Sequence, residues 1–323
     1  MASLFLLLLK RLALAVPVMW AVVTLVFLLI HLVPGDPVVM YLGDSARPED
    51  IQELRHKHGL DLPLWQQYVR LWFGAPTNDG LDKHRGLLRG DLGETFGGKN
   101  VVTELLKRYP TTLKLAGGAM LVAVAVAIPL GVAAAVARAR GHWLDTVISV
   151  VSLAGIALPN FVIGPLAILI FAVYLDWLPV SGSEHFEHFI LPATTLGLAM
   201  AAILTRLVRS SVLEELGEDY VRTARAKGLP ERVVLFKHVL KNSLIPVVTI
   251  IGLQFGIVLT GAIVTETIFS MPGVGELTIR AINEREYNQV QANLLAIALT
   301  YVVVNTLTDI LYRLLDPRIT LER

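Results

Sequence analysis

The stretch Gly93-Glu94-Thr95-Phe96-Gly97-Gly98-Lys99-Asn100 falls one position short of G-x-x-x-x-G-K-[ST], a loop whose backbone N–H groups cradle phosphate and whose hydroxyl holds Mg²⁺. Asn100 stands where the hydroxyl belongs, and no buried strand precedes Gly93. The stretch therefore reads as a glycine-rich turn, and the chain is expected to hydrolyse no ATP of its own. His185 and His188 lie three apart beside Glu184 and Glu187, residue types that bind metal, but no closed set of four ligands forms and a solvated loop is expected. The chain has no cysteine, which removes disulfides, thiolate ligands and any thiol nucleophile. No His, Asp and Glu cluster at one depth, as a membrane enzyme would need.

A second set of polar residues sits inside apolar surroundings. Asn160, Gln254 and Asn305 either line a path through a helix bundle or hydrogen-bond one helix to the next. Glu266 is nearly intramembrane and faces an external vestibule or an extracytoplasmic partner, or else belongs to a helix end at Ser270-Met271-Pro272-Gly273. Gly252-x3-Gly256 is a small-residue stripe of the kind that packs helices closely.

The most informative polar segment is Glu218 to Asn242, EDYVRTARAKGLPERVVLFKHVLKN, lying between two apolar runs. Glu218 and Asp219 suit a helix N-terminus, Arg225 and Lys227 suit its end, and Gly228 with Pro230 stops it. A helix of about 11 residues and about 16 Å is expected. Val221, Ala224, Arg225 and Gly228 share one side of it at offsets of three and four, with Tyr220 adjacent. Small side chains there allow close approach to another surface. A reversal of direction needs only a handful of residues, so ordering about forty points to a bound partner. Anchoring of the basic residues at anionic lipid is the plainer alternative.

The elements that carry these residues follow from composition. Apolar residues make up 54% of the 323-residue chain and charged ones 17%, too greasy a balance for an ordinary soluble domain. The net charge of +1 indicates no nucleic-acid partner. Six runs are long enough to cross about 30 Å of hydrocarbon: roughly Leu12 to Val33, Leu115 to Val136, Thr146 to Leu175, Phe189 to Thr205, Asn242 to Thr265 and Tyr287 to Thr308. Prolines inside them, Pro17, Pro129, Pro159 and Pro246, are tolerable where neighbouring helices satisfy the freed carbonyls. The segment from Arg206 to Lys241 carries eight basic residues and the one from Asp176 to His188 none, which puts the former and both termini in the cytoplasm. The loop 34–110 then falls outside, where nucleotide is scarce, as a small cap with helices near Pro48 to His58 and Leu64 to Phe73. The expected divisions are a leader and first span at 1–33, the cap at 34–110, and a five-helix core at 111–323 containing the cytoplasmic segment 206–243.

At the polar segment the sequence resembles the inner-membrane permeases of binding-protein-dependent ABC importers, whose cytoplasmic loop has the pattern E-A-A-x3-G-x9-I-x-L-P. The aligned residues here are Arg222-Thr223-Ala224, Gly228, His238, Leu240 and Lys241. Glu218 through Gly228 is similar to the form used by the dipeptide, oligopeptide and nickel branch. Lys10-Arg11-Leu12, His31 to Pro37, Gly90 to Gly93, Leu178 to Gly182, Thr265 to Gly273 and Asp316 to Ile319 match that branch in order. The likeness is greatest to the first of the two permeases of a dipeptide importer.

The resemblance implies an all-α polytopic protein of the bacterial inner membrane with six transmembrane helices and the type I ABC importer permease fold. It implies a sister permease, two cytoplasmic ATPases that bind the ATP and Mg, and an extracytoplasmic substrate-binding protein; this chain holds no cofactor. Tyr220, Arg222, Ala224, Arg225 and Gly228 would be the surface that couples to the ATPase. Dipeptides are the first cargo expected, then longer peptides, glutathione or nickel. The competing class is a six-span secondary transporter or channel, but neither paired intramembrane ions nor inverted halves are evident.

Overall fold

In hydrocarbon each backbone N–H and C=O must be satisfied within its own segment, so uninterrupted apolar sequence becomes helix. The computed structural model describes residues 2–43, 45–74 and 85–315. In chain order α1 (Ala2–Leu32) is followed by three short helices, α2 (Pro37–Leu42), α3 (Pro48–Lys57) and α4 (Leu64–Phe73), and then by α5 (Val101–Ala139). Next come α6 (Leu144–Ala157) and α7 (Asn160–Ala167), the latter extended by π-helical turns over Ile168–Tyr174. α8 (Glu187–Leu216) leads to α9 (Asp219–Ala226), and α10 (Glu231–Val233) passes through π-helical Val234–Val239 into α11 (Leu240–Ile268) without a loop. α12 (Val274–Asn283) and α13 (Tyr287–Leu315) complete the described residues; Asp316 to Ile319 lie outside them.

Among the described residues five helices are long and apolar enough to span a bilayer, within α1, α5, α8, the α10–α11 run and α13. The expected straight span from Thr146 to Leu175 is instead two pieces, α6 and α7 with its extension, bent by 97°. Pro159 explains the correction. It lacks an N–H, and its ring drives Leu158 out of the helical region to φ −88, ψ 117. Pro17, Pro192 and Pro246 lie inside unbroken helices. The basic residues Arg138 and Arg140 before the bent pair, against none from Asp176 to His188 after it, favour counting it as one crossing.

The chain divides into two units whose boundaries differ from the division expected above. Residues 272–300 group with the first 112 residues, not with the remainder of 111–323. In this first unit Val23 and Phe27 of α1, Leu71 of α4, Leu92 of the segment before α5, Val101 and Leu105 of α5, Val274 of α12 and Ala292 of α13 form one apolar core. Arg108 and Glu276 pair at 2.8 Å, and the Val274 N–H donates to the Thr112 hydroxyl at 2.8 Å, so the α5 start and α12 are tied by polar bonds as well. The glycine-rich turn closes on an antiparallel bridge between Glu94 and Asn100, and its Phe96 N–H donates to both oxygens of the buried Glu286 carboxylate at 3.0 Å.

The second unit, Leu113–Met271 with the chain from Tyr301 onward, is built on close helix approach. Ala116, Ala119, Ala123 and Ala127 of α5 meet Leu196, Met200 and Leu204 of α8 and Val258, Leu259 and Ala262 of α11 in one core. A Cβ added at Gly252 or Gly256 would sit 2.0 Å from Thr308 Cγ2 or 2.2 Å from the Tyr301 ring. The glycine stripe of α11 is thus the face on which α13 lies. Arg209 of α8 donates to Asp145 of α6 at 2.9 Å through Nη2.

Candidate functional site

The polar segment of the second unit forms an elbow whose two ends are set by local chemistry. α8 stops at Gly217, Glu218 is extended at φ −70, ψ 148, and α9 begins at Asp219. The helix is eight residues, shorter than the eleven expected, because Lys227 already leaves the helical region and Gly228 turns the chain with φ +77. Pro230, extended, starts α10. Thr223 Oγ1 donates to the Asp219 carbonyl at 2.9 Å, and Arg222 pairs with Asp219 at 3.3 Å on the exposed side.

The face that turns inward is decided by packing. Val221 has no exposed surface and Ala224 is buried with it, in a cluster with Val132 and Ala135 of α5, Val208 and Val212 of α8, and Val234, Val239 and Val247 beyond the elbow. Ala224, expected on the contact surface, is therefore part of the seat that fixes α9 to its own chain. Tyr220 is half-buried and its hydroxyl donates to Glu215; burial, reinforced by that carboxylate, pushes its pKa up to about 12. The phenol is a fixed neutral donor at any physiological pH.

Arg222, Thr223, Arg225, Ala226, Lys227 and Gly228 remain exposed. Arg225 is held by Glu231, with Nη2 2.8 Å from Oε1, so the first turn after the elbow orients it. Arg225, Glu231 and Arg232 line a recess of about 290 Å³ with Arg140, over an apolar floor of Val136, Ala139, Leu216 and Leu235. A Cβ built on Gly228 would meet nothing within 4 Å, so the positive φ, not crowding within the chain, calls for glycine there. Glu215, Glu231 and Arg140 were not singled out by sequence. The six-residue separation of Arg225 from Glu231 crosses the turn and matches no helical spacing, so only the fold brings them together.

The other polar residues are dispersed. Asn160 is the first residue of α7, at the 97° bend, with Oδ1 buried and without a hydrogen-bond partner. Gln254 is 6% exposed on α11 and Asn305 half-buried on α13. No hydrogen bond joins the three among the described residues. Glu266, for which an external vestibule or receptor and a helix end were both open, has no exposed surface and lies in the last turn of α11, where its carbonyl accepts from the Met271 N–H at 2.8 Å. His185 and His188 stack at 5.8 Å, and no group of three or more potential metal ligands is found among the described residues.

Comparison with known proteins extends over nearly the whole chain. The family described as "Binding-protein-dependent transport system inner membrane component" matches residues 127–321, and "Binding-prot-dependent transport system membrane comp, N-term" matches residues 4–116. The chain is 40% identical over 312 residues to the glutathione transport system permease protein GsiC of Salmonella choleraesuis, covering 96% of this chain and 97% of that protein. With GsiC of Escherichia coli the identity is 39% over 311 residues, at the same coverage of 96% and 97%. Among solved structures, a chain of the inward-facing MetNI methionine ABC transporter superimposes with a TM-score of 0.57 at 16% identity, covering 66% of this chain and 96% of that one. At that identity the likeness concerns the fold.

Proposed function

This chain belongs to the inner membrane components of binding-protein-dependent transport systems, the permeases of ABC importers, and from that premise we propose that it forms half of the path for short peptides and is driven through α9. The observation that carries the reading is the elbow. A helix of only eight residues cannot hold itself in water, yet α9 is pinned by Val221 and Ala224 while Arg222, Arg225, Lys227 and Gly228 stay outward. That is what a handle for a separate motor requires: firm attachment on one side and a polar, cationic surface on the other.

Binding and hydrolysis of ATP, with its Mg, take place on the partner ATPases, and a sister permease supplies the other half of the path. An extracytoplasmic receptor delivers cargo. Each nucleotide state is selected by its different contacts with the elbow, since a ligand shifts an equilibrium only through differential affinity. The long relatives are permeases for glutathione, itself a tripeptide, which supports a peptide cargo; dipeptides remain the first choice and glutathione the next.

The test is reconstitution with the neighbouring gene products in proteoliposomes. A complex containing two ATPase subunits and showing receptor-dependent, ATP-driven uptake of labelled di- or tripeptide is expected. Uptake by this chain alone, driven by an ion gradient, would overturn the reading.

A further inference from the structure

The first unit contains an open cleft of about 390 Å³. Its walls come from the glycine-rich turn, the start of α5, α12 and the start of α13, all on the side expected to face away from the cytoplasm. Lys99 and Arg280 supply two cations and Glu104 and Glu284 two carboxylates, none of them in an ion pair among the described residues. Deeper in the wall, Gln289 is only 2% exposed. Its Nε2 donates to Asn293 Oδ1 at 2.8 Å, while its Oε1 is buried with no donor. A buried amide oxygen without a partner is destabilising unless something from outside satisfies it. Turning both amides exchanges oxygen for nitrogen at that point and still leaves a polar atom in the wall.

What complements such a cleft carries an ammonium group, a carboxylate and, between them, a peptide amide. A lone metal ion does not fit, because no group of three or more potential ligands occurs among the described residues. Phe96 already occupies the Glu286 carboxylate with its N–H, so Glu286 serves as wall, not as ligand. The volume lies within the range of about 300–1,000 Å³ usual for small-molecule sites.

We propose that this cleft holds the zwitterionic backbone of a short peptide on the receiving side of the membrane. Arg280 and Lys99 take the carboxylate, Glu284 and Glu104 take the ammonium group, and Gln289 reads an amide of the backbone. Side chains of the cargo stay outside this set of contacts, so the site distinguishes free peptide ends and not sequence. The proposal rests on the peptide reading above and adds a binding step that belongs to the permease itself.

The experiment uses the complete transporter in nanodiscs, without receptor or nucleotide, and measures equilibrium binding of labelled trialanine and of glutathione. Saturable binding is expected for at least one. N-acetylation and C-terminal amidation of the peptide that binds should each weaken it about tenfold, because a site built around a charged group rejects the analogue lacking it. Arg280→Gln should weaken the free peptide about tenfold and remove the preference over the amide; Glu284→Gln should do the same for the acetylated end. Both positions are exposed, so neither change disturbs the core, and co-purification of all subunits checks assembly. Receptor-dependent uptake is measured on the same preparation. If uptake proceeds while neither probe binds at millimolar concentration, or while blocked ends bind as well as free ones, the cleft proposal fails and the transport reading stands. If the variants weaken only receptor affinity, the cleft is a receptor surface and the proposal is again overturned. Absence of uptake by the unaltered complex would strike the preceding reading instead.

Discussion

Gly228 donates its N–H to the Arg225 carbonyl at 2.9 Å, yet a side chain built on it would meet nothing in its own chain. Its φ of +77 is unfavourable for any L side chain, by about 1 kcal/mol for a single αL residue, and the space beside it is open. Gly228→Leu is therefore expected to leave the chain folded and inserted but to place a bulky group on the surface proposed to meet the ATPase. ATP hydrolysis should persist while peptide uptake per ATP falls at least about tenfold; unchanged coupling, measured in proteoliposomes, would remove Gly228 from the contact. Glu286 illustrates the opposite case, a charge kept inside. Burial raises its pKa above the ordinary 4.5, against the stabilising Phe96 N–H. A raised folded pKa means that its contribution to stability is complete below about pH 4.5 and is lost as pH rises through the folded value. Glu286→Gln keeps an acceptor for Phe96 and removes the charge. Thermal melts should show higher stability at neutral pH and a flatter profile above pH 4.5.

At the scale of elements, the elbow stands or falls with its valine seat. Val221→Asp would bury a charge among Val132, Val208, Val212 and Val234, an arrangement with no counter-ion in that apolar cluster. The spans remain apolar and insert, but α9 is expected to detach, and the ATPase subunits should no longer co-purify; retention of a stoichiometric complex would contradict the role given to α9. The ends of α9 were legible in sequence, because Glu218, Asp219, Gly228 and Pro230 carry their backbone preferences with them. The inward face was not. Offsets of three and four group Val221, Ala224, Arg225 and Gly228 on one side, yet the partners of that side come from α5, α8 and beyond the elbow, distant in sequence and invisible to periodicity. For Glu266 the sequence left a vestibule and a helix end equally open, since the burial of a charge at a helix end depends on contacts distant in sequence.

For the molecule as a whole, hydropathy located each membrane segment, because length and apolarity are what a bilayer selects. It did not locate the 97° bend, since whether a proline breaks a helix depends on which neighbours satisfy its freed carbonyls, and Pro159 reads in sequence like Pro246. The cysteine-free chain makes its topology directly testable. Single replacements Ser181→Cys and Thr223→Cys should react with an impermeant maleimide from opposite sides, Ser181→Cys in intact cells and Thr223→Cys only after permeabilisation. The reversed pattern, Thr223→Cys labelled in intact cells and Ser181→Cys only after permeabilisation, would show that the bent pair α6–α7 dips into the membrane and returns, since α8 separates the two sites in either case. The continuity of the run from Glu231 to Ile268 has a mechanical consequence. Roughly 55 Å of helix without a hinge resists compression, so a displacement applied beside the elbow arrives at the opposite leaflet with little slack. The Gly252 and Gly256 contacts make α13 its passenger. The wider turns at Val234–Val239, with their poorer hydrogen bonding, are then the place where such a strut yields first, a mechanical fuse on the cytoplasmic side of the load.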